Sequence, residues 1–339
     1  MPEPILDWGI ALVLQFQGMG DWMIAPMNAL TFTGDVAFFL FVLPAVYWSI
    51  DRRFGIRVAM AMMISITLNA LLKMVLHAPR PYWYDTRVRL LGNGEALFGL
   101  PSGHAQNAVV MWGMLAAQIG RWWGWVMAIV LMILVGFSRI YIGVHFPTDV
   151  LAGWLVGAIV LFLFLRFEHS VLAWFRQYSI QAQLGLLFAA SLMLIATAAL
   201  LEGTIDTRWS MPEIWAENAI AAGGIPLDGV SLQDTVSGAA AFFGMAAGAS
   251  WLYVRGNFDA GGPLKYRLVR YLVGVLGVAI FYAGLDAIFA MLAEDESILG
   301  YVLRYGRYGL VGFWLLGLAP ILFLQLGWAK IERQRSSVL

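Results

Sequence analysis

Apolar residues in this chain fall into long runs separated by short polar punctuation, and the runs have the length of a membrane crossing. A hydrocarbon layer of about 30 Å takes roughly 20 residues of helix. Nine runs approach that length: 33–50, 57–76, 104–120, 122–140, 148–166, 183–201, 236–254, 269–292 and 308–328. Each is bounded by charges or by Gly and Pro, the usual marks of a helix end. Residues 5–30 are apolar too, but Asp7, Gln15, Gln17, Asp21 and Asn28 interrupt them. That spacing predicts an interfacial or re-entrant segment rather than a crossing. The pattern as a whole predicts an all-α, polytopic transmembrane helical bundle.

Composition agrees. Of 339 residues 61% are hydrophobic and 12% charged, which does not fit a soluble protein. The formal charge of +0, with no block of like charges, gives nothing for nucleic acid to bind. Having no cysteine, the chain has no disulfide, thiolate metal site or cysteine nucleophile. Glu3 and Asp7 stand where a secretory signal would carry Lys or Arg, so no cleaved signal peptide is expected.

The charges also predict an orientation, because Lys and Arg concentrate in cytoplasmic loops. One set of loops holds Arg52, Arg53, Arg57, Arg121, Arg166, Arg176, Arg255, Lys265, Arg267, Arg270, Lys330, Arg333 and Arg335. The opposite set holds 202–235, with Glu202, Asp206, Glu213, Glu217, Asp228 and Asp234 against a single Arg208, and the acidic turn 293–297. Two loops of this second set break the rule with Arg80, Arg87, Arg89 and Arg139. Arginines on the disfavoured side need another reason.

Three short blocks supply one. In "KMVLHAPRPYW", Lys73 and Arg80 are two helical turns apart, and Pro79 and Pro81 end the helix, so the two cations converge at its outer end. They suit an anion, although snorkelling at a helix end has the same appearance. In "LPSGHAQ", Ser102 has the chemistry of an N-cap and Gly103 admits another group close to the backbone. Unpaired N–H groups at such a start attract phosphate, and His104 on the first turn can move a proton near neutral pH. A plain cap with a satisfied histidine is the structural alternative. In "SRIYIGVHFPTD", Pro147 starts a helix, Asp149 lies four residues after His145 and can orient its ring, and Arg139 adds a bidentate anion binder. A His/Asp pair can also hold a metal, but other ligands are scarce, with only His77 and His169 left among the histidines. No metal site and no cofactor are therefore expected.

Combined, the blocks fit phosphoryl transfer. His145, backed by Asp149, is the candidate nucleophile. Lys73, Arg80, Arg139, Ser102 and Gly103 are candidates to hold the non-bridging oxygens, and His104 to protonate the leaving alcohol and then activate water.

The pattern KxxxxxxRP, PSGH and SRxxxxxHxxxD closely resembles the type 2 phosphatidic acid phosphatase superfamily, which includes vanadium-dependent haloperoxidases and the glucose-6-phosphatase group. The matching positions are Lys73, Arg80, Pro81, Pro101, Ser102, Gly103, His104, Ser138, Arg139, His145 and Asp149. The resemblance covers roughly residues 30–165 and looks most like the sphingosine-1-phosphate phosphatase branch. It implies a six-helix, metal-independent phosphatase core with a phosphohistidine at His145 and His104 as general acid.

The division expected is 1–30 as the N-terminal segment, 31–170 as the catalytic core and 171–339 as a C-terminal transmembrane extension. Three roles are open to the added spans: widening the lipid's access route, self-association into a homo-oligomer, or binding a second partner. Asp286 inside one of them is either costly and functional or close to the outer interface. The expected substrate is a membrane lipid phosphate or pyrophosphate, met at the outer face of a bacterial-type cytoplasmic membrane. A lipid phosphotransferase sharing the intermediate, and a non-catalytic lipid-binding or transport protein, are the alternatives. A haloperoxidase is disfavoured because nothing else in the chain resembles a soluble oxidative enzyme.

Overall fold

A computed structural model describes residues 2–227 and 232–332, and the side chains of all of these except 36, 37 and 205–208. Asp228, Arg333 and Arg335 lie outside the described residues, as do the side chains of Asp206 and Arg208. Every element among the described residues is helical. In chain order they are α1 (Glu3–Gln17), α2 (Ile24–Phe32), α3 (Val36–Ser49), α4 (Arg52–Leu76), α5 (Pro81–Tyr84), α6 (Gly103–Ile119), α7 (Trp122–Tyr141), α8 (Pro147–Phe175), α9 (Ile180–Arg208), α10 (Glu213–Ala221), α11 (Leu232–Val254), α12 (Leu264–Ala279), α13 (Leu285–Phe289), α14 (Ile298–Phe313) and α15 (Ala319–Gln325). Wider π turns at Ile280–Gly284 and Trp314–Leu318 join α12 to α13 and α14 to α15 into continuous rods.

Among the described residues seven helices are long and apolar enough to cross a membrane: those spanning Arg52–Tyr84, Trp122–Tyr141, Pro147–Phe175, Ile180–Thr204, Leu232–Val254, Leu264–Phe289 and Ile298–Gln325. The chain is a multi-pass membrane protein with an all-helical fold. The other two expected runs are helices as well, but α3 has 14 residues and α6 has 17. The length of α6 is set by its caps, Ser102 at the start and Gly120 in the left-handed conformation at the end, and its first turns carry His104, Gln106 and Asn107.

Two compact units emerge. The first combines Met1–Phe39, Ala61–Glu168 and Ala196–Thr235; the second combines Leu40–Met60, His169–Ile195 and Val236–Leu339. Packing thus groups stretches that are distant in sequence. Of the residues expected in the C-terminal extension, 196–227 and 232–235 pack in the same unit as 61–168.

In the first unit, α1 and α2 bury Leu6, Ile10, Val13, Met23 and Met27 in one core with Tyr82, Trp83, Phe98, Tyr141, Ile142, Val144, Phe146 and Ala219. The polar interruptions are used as well: Gln17 Nε2 donates to the carbonyls of Arg89 at 2.7 Å and Tyr141 at 3.1 Å. Helices α6 and α8 approach at backbone contact. A Cβ on Gly153 would stand 2.5 Å from the Ser102 carbonyl oxygen, and one on Gly157 2.6 Å from that of Gln106. Small residues at such a crossing replace hydrophobic drive with close packing. Between α4 and α6 runs a buried polar chain. Asn69 Nδ2 donates to Gln106 Oε1 (2.9 Å), Gln106 Nε2 to the Ser65 carbonyl (2.7 Å), and Ser65 Oγ to Asn107 Oδ1 (2.8 Å).

The second unit repeats the small-residue device, with Gly244 and Gly248 of α11 lying against Gly309, Phe313 and Gly317. Asp286 pairs there with the buried guanidinium of Arg307, while its own side chain stays 59% exposed. The carboxylate therefore stays partly accessible while a partner offsets its charge.

Candidate active site

Four helix ends of the first unit build the site. The C-terminal end of α4 carries Lys73, and the turn after it carries Arg80, whose neighbour Pro81 opens α5. The start of α6 carries Ser102, Gly103 and His104, the end of α7 carries Arg139, and His145 and Asp149 flank Pro147 at the start of α8. Lys73, Arg80, Ser102, Arg139, His145 and Asp149 are all buried.

At the centre is His145. Its Nδ1 lies 3.2 Å from Asp149 Oδ2, an oxygen that also accepts the Phe146 backbone N–H at 2.9 Å. Its Nε2 lies 3.2 Å from Arg80 Nη1. A guanidinium only donates, so Nε2 presents a lone pair and the ring proton sits on Nδ1, facing Asp149. Burial, followed by the charges of Arg80, Arg139, Lys73 and His104, holds His145 well below its ordinary value of 6.5. A neutral imidazole with its Nε2 lone pair toward the cations is the form a nucleophile requires.

Around it Arg80 and Lys73 are held in place by main-chain oxygens, and Arg139 by side chains. Arg80 donates to the carbonyls of Leu97 (2.7 Å), Val144 (3.0 Å) and Phe98 (3.2 Å). Lys73 Nζ donates to the carbonyl of Phe98 and lies 3.4 Å from that of Gly99. Arg139 Nη1 donates to Thr31 Oγ1 at 2.7 Å, and its buried Nε has no hydrogen-bond partner. Between the two arginines sits Glu95, with Oε2 at 2.5 Å from Arg80 Nη2 and Oε1 on Arg139 Nη2.

The start of α6 takes its expected form. Ser102 caps the helix by accepting the Ala105 N–H, and its own N–H donates to the Asp149 carbonyl at 2.9 Å, tying the two halves of the site together. Gly103 does admit a close group, which is Asn69: a Cβ there would stand 3.0 Å from Asn69 Oδ1. His104 lies on the more accessible rim, its side chain 18% exposed, with Nε2 3.6 Å from Asp35 Oδ2. Lys73, Arg80, Arg139, His145 and Asp149 therefore form one buried cluster, while His104 stands at its edge facing Asp35.

Thr31, Asp35 and Asn69 belong to apolar stretches and carried no signal of their own. Glu95 did carry one: it is the only acidic residue between Asp85 and Asp149, in the loop between two signature blocks. Among the described residues no three His, Cys, Asp or Glu side chains gather as a metal site would require.

Comparison with known proteins gives two matches to family models. Residues 54–173 match the PAP2 superfamily, and residues 236–331 match the transmembrane extension of PAP2 superfamily phosphatases. The chain belongs to the PAP2 superfamily. This PAP2 chain is 35% identical over 120 residues to an undecaprenyl-diphosphatase of Sulfolobus acidocaldarius, covering 35% of this chain and 57% of that one. It is 28% identical over 238 residues to glucose-6-phosphatase 3 of Bos taurus, covering 62% and 66%. With sphingosine-1-phosphate phosphatase 2 of Mus musculus it is 31% identical over 136 residues, covering 38% of each. In each case the PAP2 chain spans less than two thirds of its relative. Among solved structures it is similar to a transmembrane PAP2 phosphatidylglycerolphosphate phosphatase from Bacillus subtilis, with a TM-score of 0.43 and 24% identity over 50% of this chain and 89% of that one.

Proposed function

We propose that the chain is an integral membrane lipid phosphate phosphatase that hydrolyses a terminal phosphomonoester or pyrophosphate through a phosphohistidine. The observation that carries this reading is His145, whose ring is oriented by Asp149 so that an unprotonated Nε2 meets the guanidinium of Arg80. Arg80 and Arg139 lie close enough to share one carboxylate, so they can share a phosphoryl group of similar oxygen spacing.

In the first step the Nε2 lone pair attacks phosphorus, an N–P bond forms and the bond to the leaving oxygen breaks. His104 gives that oxygen its proton. In the second step water attacks phosphorus, His104 takes the water's proton, and the N–P bond breaks to release phosphate and restore the imidazole. The guanidinium groups offset the charge that develops on the equatorial oxygens, the part a metal plays elsewhere, so the reaction needs no divalent ion.

Multi-pass helices support a lipid substrate, because they set the phosphorus where headgroups lie. The same name class recurs among the relatives, which include an undecaprenyl-diphosphatase and a sphingosine-1-phosphate phosphatase. If each apolar helix crosses once, Lys73, His104, Arg139 and His145 share one side and the Lys- and Arg-rich helix ends share the other. The positive-inside rule then gives an active site facing away from the cytoplasm, in a bacterial-type inner membrane.

The test is phosphate release by purified protein in detergent with a chelator, across phosphatidic acid, sphingosine-1-phosphate, phosphatidylglycerophosphate and polyprenyl pyrophosphate. Release that disappears in His145→Ala is the expected result. Release that survives in the variant moves the nucleophile elsewhere. Release that appears only with an added acceptor alcohol makes the chain a phosphotransferase.

A further inference from the structure

Glu95 puts a carboxylate on the two arginines that the proposed reaction assigns to phosphate. Each of its oxygens takes one guanidinium, Oε2 from Arg80 and Oε1 from Arg139. Its place is built rather than incidental. The Tyr82 hydroxyl, on a buried ring, clamps the Glu95 backbone from both sides, accepting its N–H and donating to its carbonyl, each at 3.0 Å. The preceding Gly94 lies against Gly224, where a Cβ would stand 2.9 Å from the Gly224 Cα. The backbone is thus fixed, while the side chain remains 28% exposed and able to leave. A phosphoryl group that reaches both arginines must displace this carboxylate.

From this the geometry points to Glu95 as an internal competitor that sets the affinity a ligand must exceed to occupy the two arginines, a threshold that dianionic terminal phosphates clear and singly charged ones do not. The inference rests on the phosphatase reading of the same site. Its physical basis is an exchange. A carboxylate offers one charge and two oxygens. A phosphodiester also offers one charge and two non-bridging oxygens, so replacing Glu95 with it gains nothing. A terminal phosphate offers three oxygens and, above its second pKa of about 6, close to two charges. It can satisfy both arginines and still supply an oxygen for the unpartnered Nε of Arg139. In a membrane crowded with phosphodiester headgroups, such a competitor would keep the cradle clear of them.

The experiment is equilibrium binding of inorganic phosphate and of dimethyl phosphate to the full chain in detergent at pH 8, by titration calorimetry, for wild type, Glu95→Gln and Glu95→Ala. No turnover is needed. Wild type is expected to bind phosphate and to discriminate strongly against dimethyl phosphate. Both variants should bind phosphate about tenfold tighter, a change of about 1.4 kcal/mol, and dimethyl phosphate should gain by the same factor, because a carboxylate that must leave costs every ligand alike. If wild type binds phosphate and neither variant binds it tighter, the competitor role is wrong and the cradle stands. If wild type binds both anions equally well, the role is wrong without recourse to a variant. If no form binds phosphate, the cradle and the competitor role fall together.

Discussion

At the scale of single residues, the tautomer of His145 decides the chemistry of the proposed nucleophile, and its environment makes a prediction about pH. Burial, then the charges of Arg80, Arg139 and Lys73, lower its pKa in the folded state, whereas in the unfolded chain it titrates near 6.5. Above that value neither state binds the proton, and this residue contributes no slope. Below it the unfolded state binds a proton that the folded state refuses, so stability falls as pH falls, by up to about 1.4 kcal/mol per pH unit. Thermal unfolding in detergent between pH 7 and pH 5 should therefore cost wild type more than His145→Gln. Equal losses in the two proteins would mean that His145 is charged in the folded site. The pairing of His145 with Asp149 was legible from a spacing of four residues at a helix start. Its strength as an orienting pair depends on the Phe146 N–H, which fixes the same carboxylate oxygen, and no spacing rule shows that.

At the scale of elements, the candidate active site is positioned by how α4 and α8 meet α6. On one side Gly153 and Gly157 bring α8 to the backbone of α6; on the other, Ser65, Asn69, Gln106 and Asn107 join α4 to it by hydrogen bonds. Gln106 is the hub, accepting from Asn69 and donating to both the carbonyl and the hydroxyl of Ser65. Gln106→Ala should destabilise the fold by about 1 to 2 kcal/mol, the range for buried polar contacts between membrane helices. Thermal unfolding checks the size. Gln106→Glu should be worse than Ala, since one of its oxygens would face the Ser65 carbonyl in place of an N–H. A variant as stable as wild type would show that the network is incidental. The apolar periodicity of the runs announced all of these helices, but it hid the network, because four small polar residues scattered through two apolar runs look like noise until the helices are paired.

At the scale of the whole molecule, the chain's lack of cysteine allows a clean test of orientation. Asp295 lies in the turn before α14, and Lys265 lies in the first turn of α12, at opposite ends of the helices concerned. A membrane-impermeant thiol reagent applied to intact cells should label Asp295→Cys and spare Lys265→Cys until the membrane is broken. The reverse pattern would turn the active site toward the cytoplasm. The sequence by itself determined the all-helical membrane class, the nine apolar runs as helices and the three signature blocks, because these depend on residue type and on short spacings along one chain; the short helices α5 and α10, in stretches read as loops, were not legible. It also marked four arginines as misplaced by the positive-inside rule; Arg80 and Arg139 enter the buried site, while Arg87 and Arg89 pair at the surface with Asp85 and Asp21. Only the tertiary structure decided that residues 196–227 and 232–235 pack with 61–168 and that Asp35 faces His104. It alone showed Glu95 lying across Arg80 and Arg139. These are meetings between stretches tens of residues apart. They are fixed by which helix surfaces can approach closely and which buried charges must find partners, and neither condition is written in any local run of the sequence.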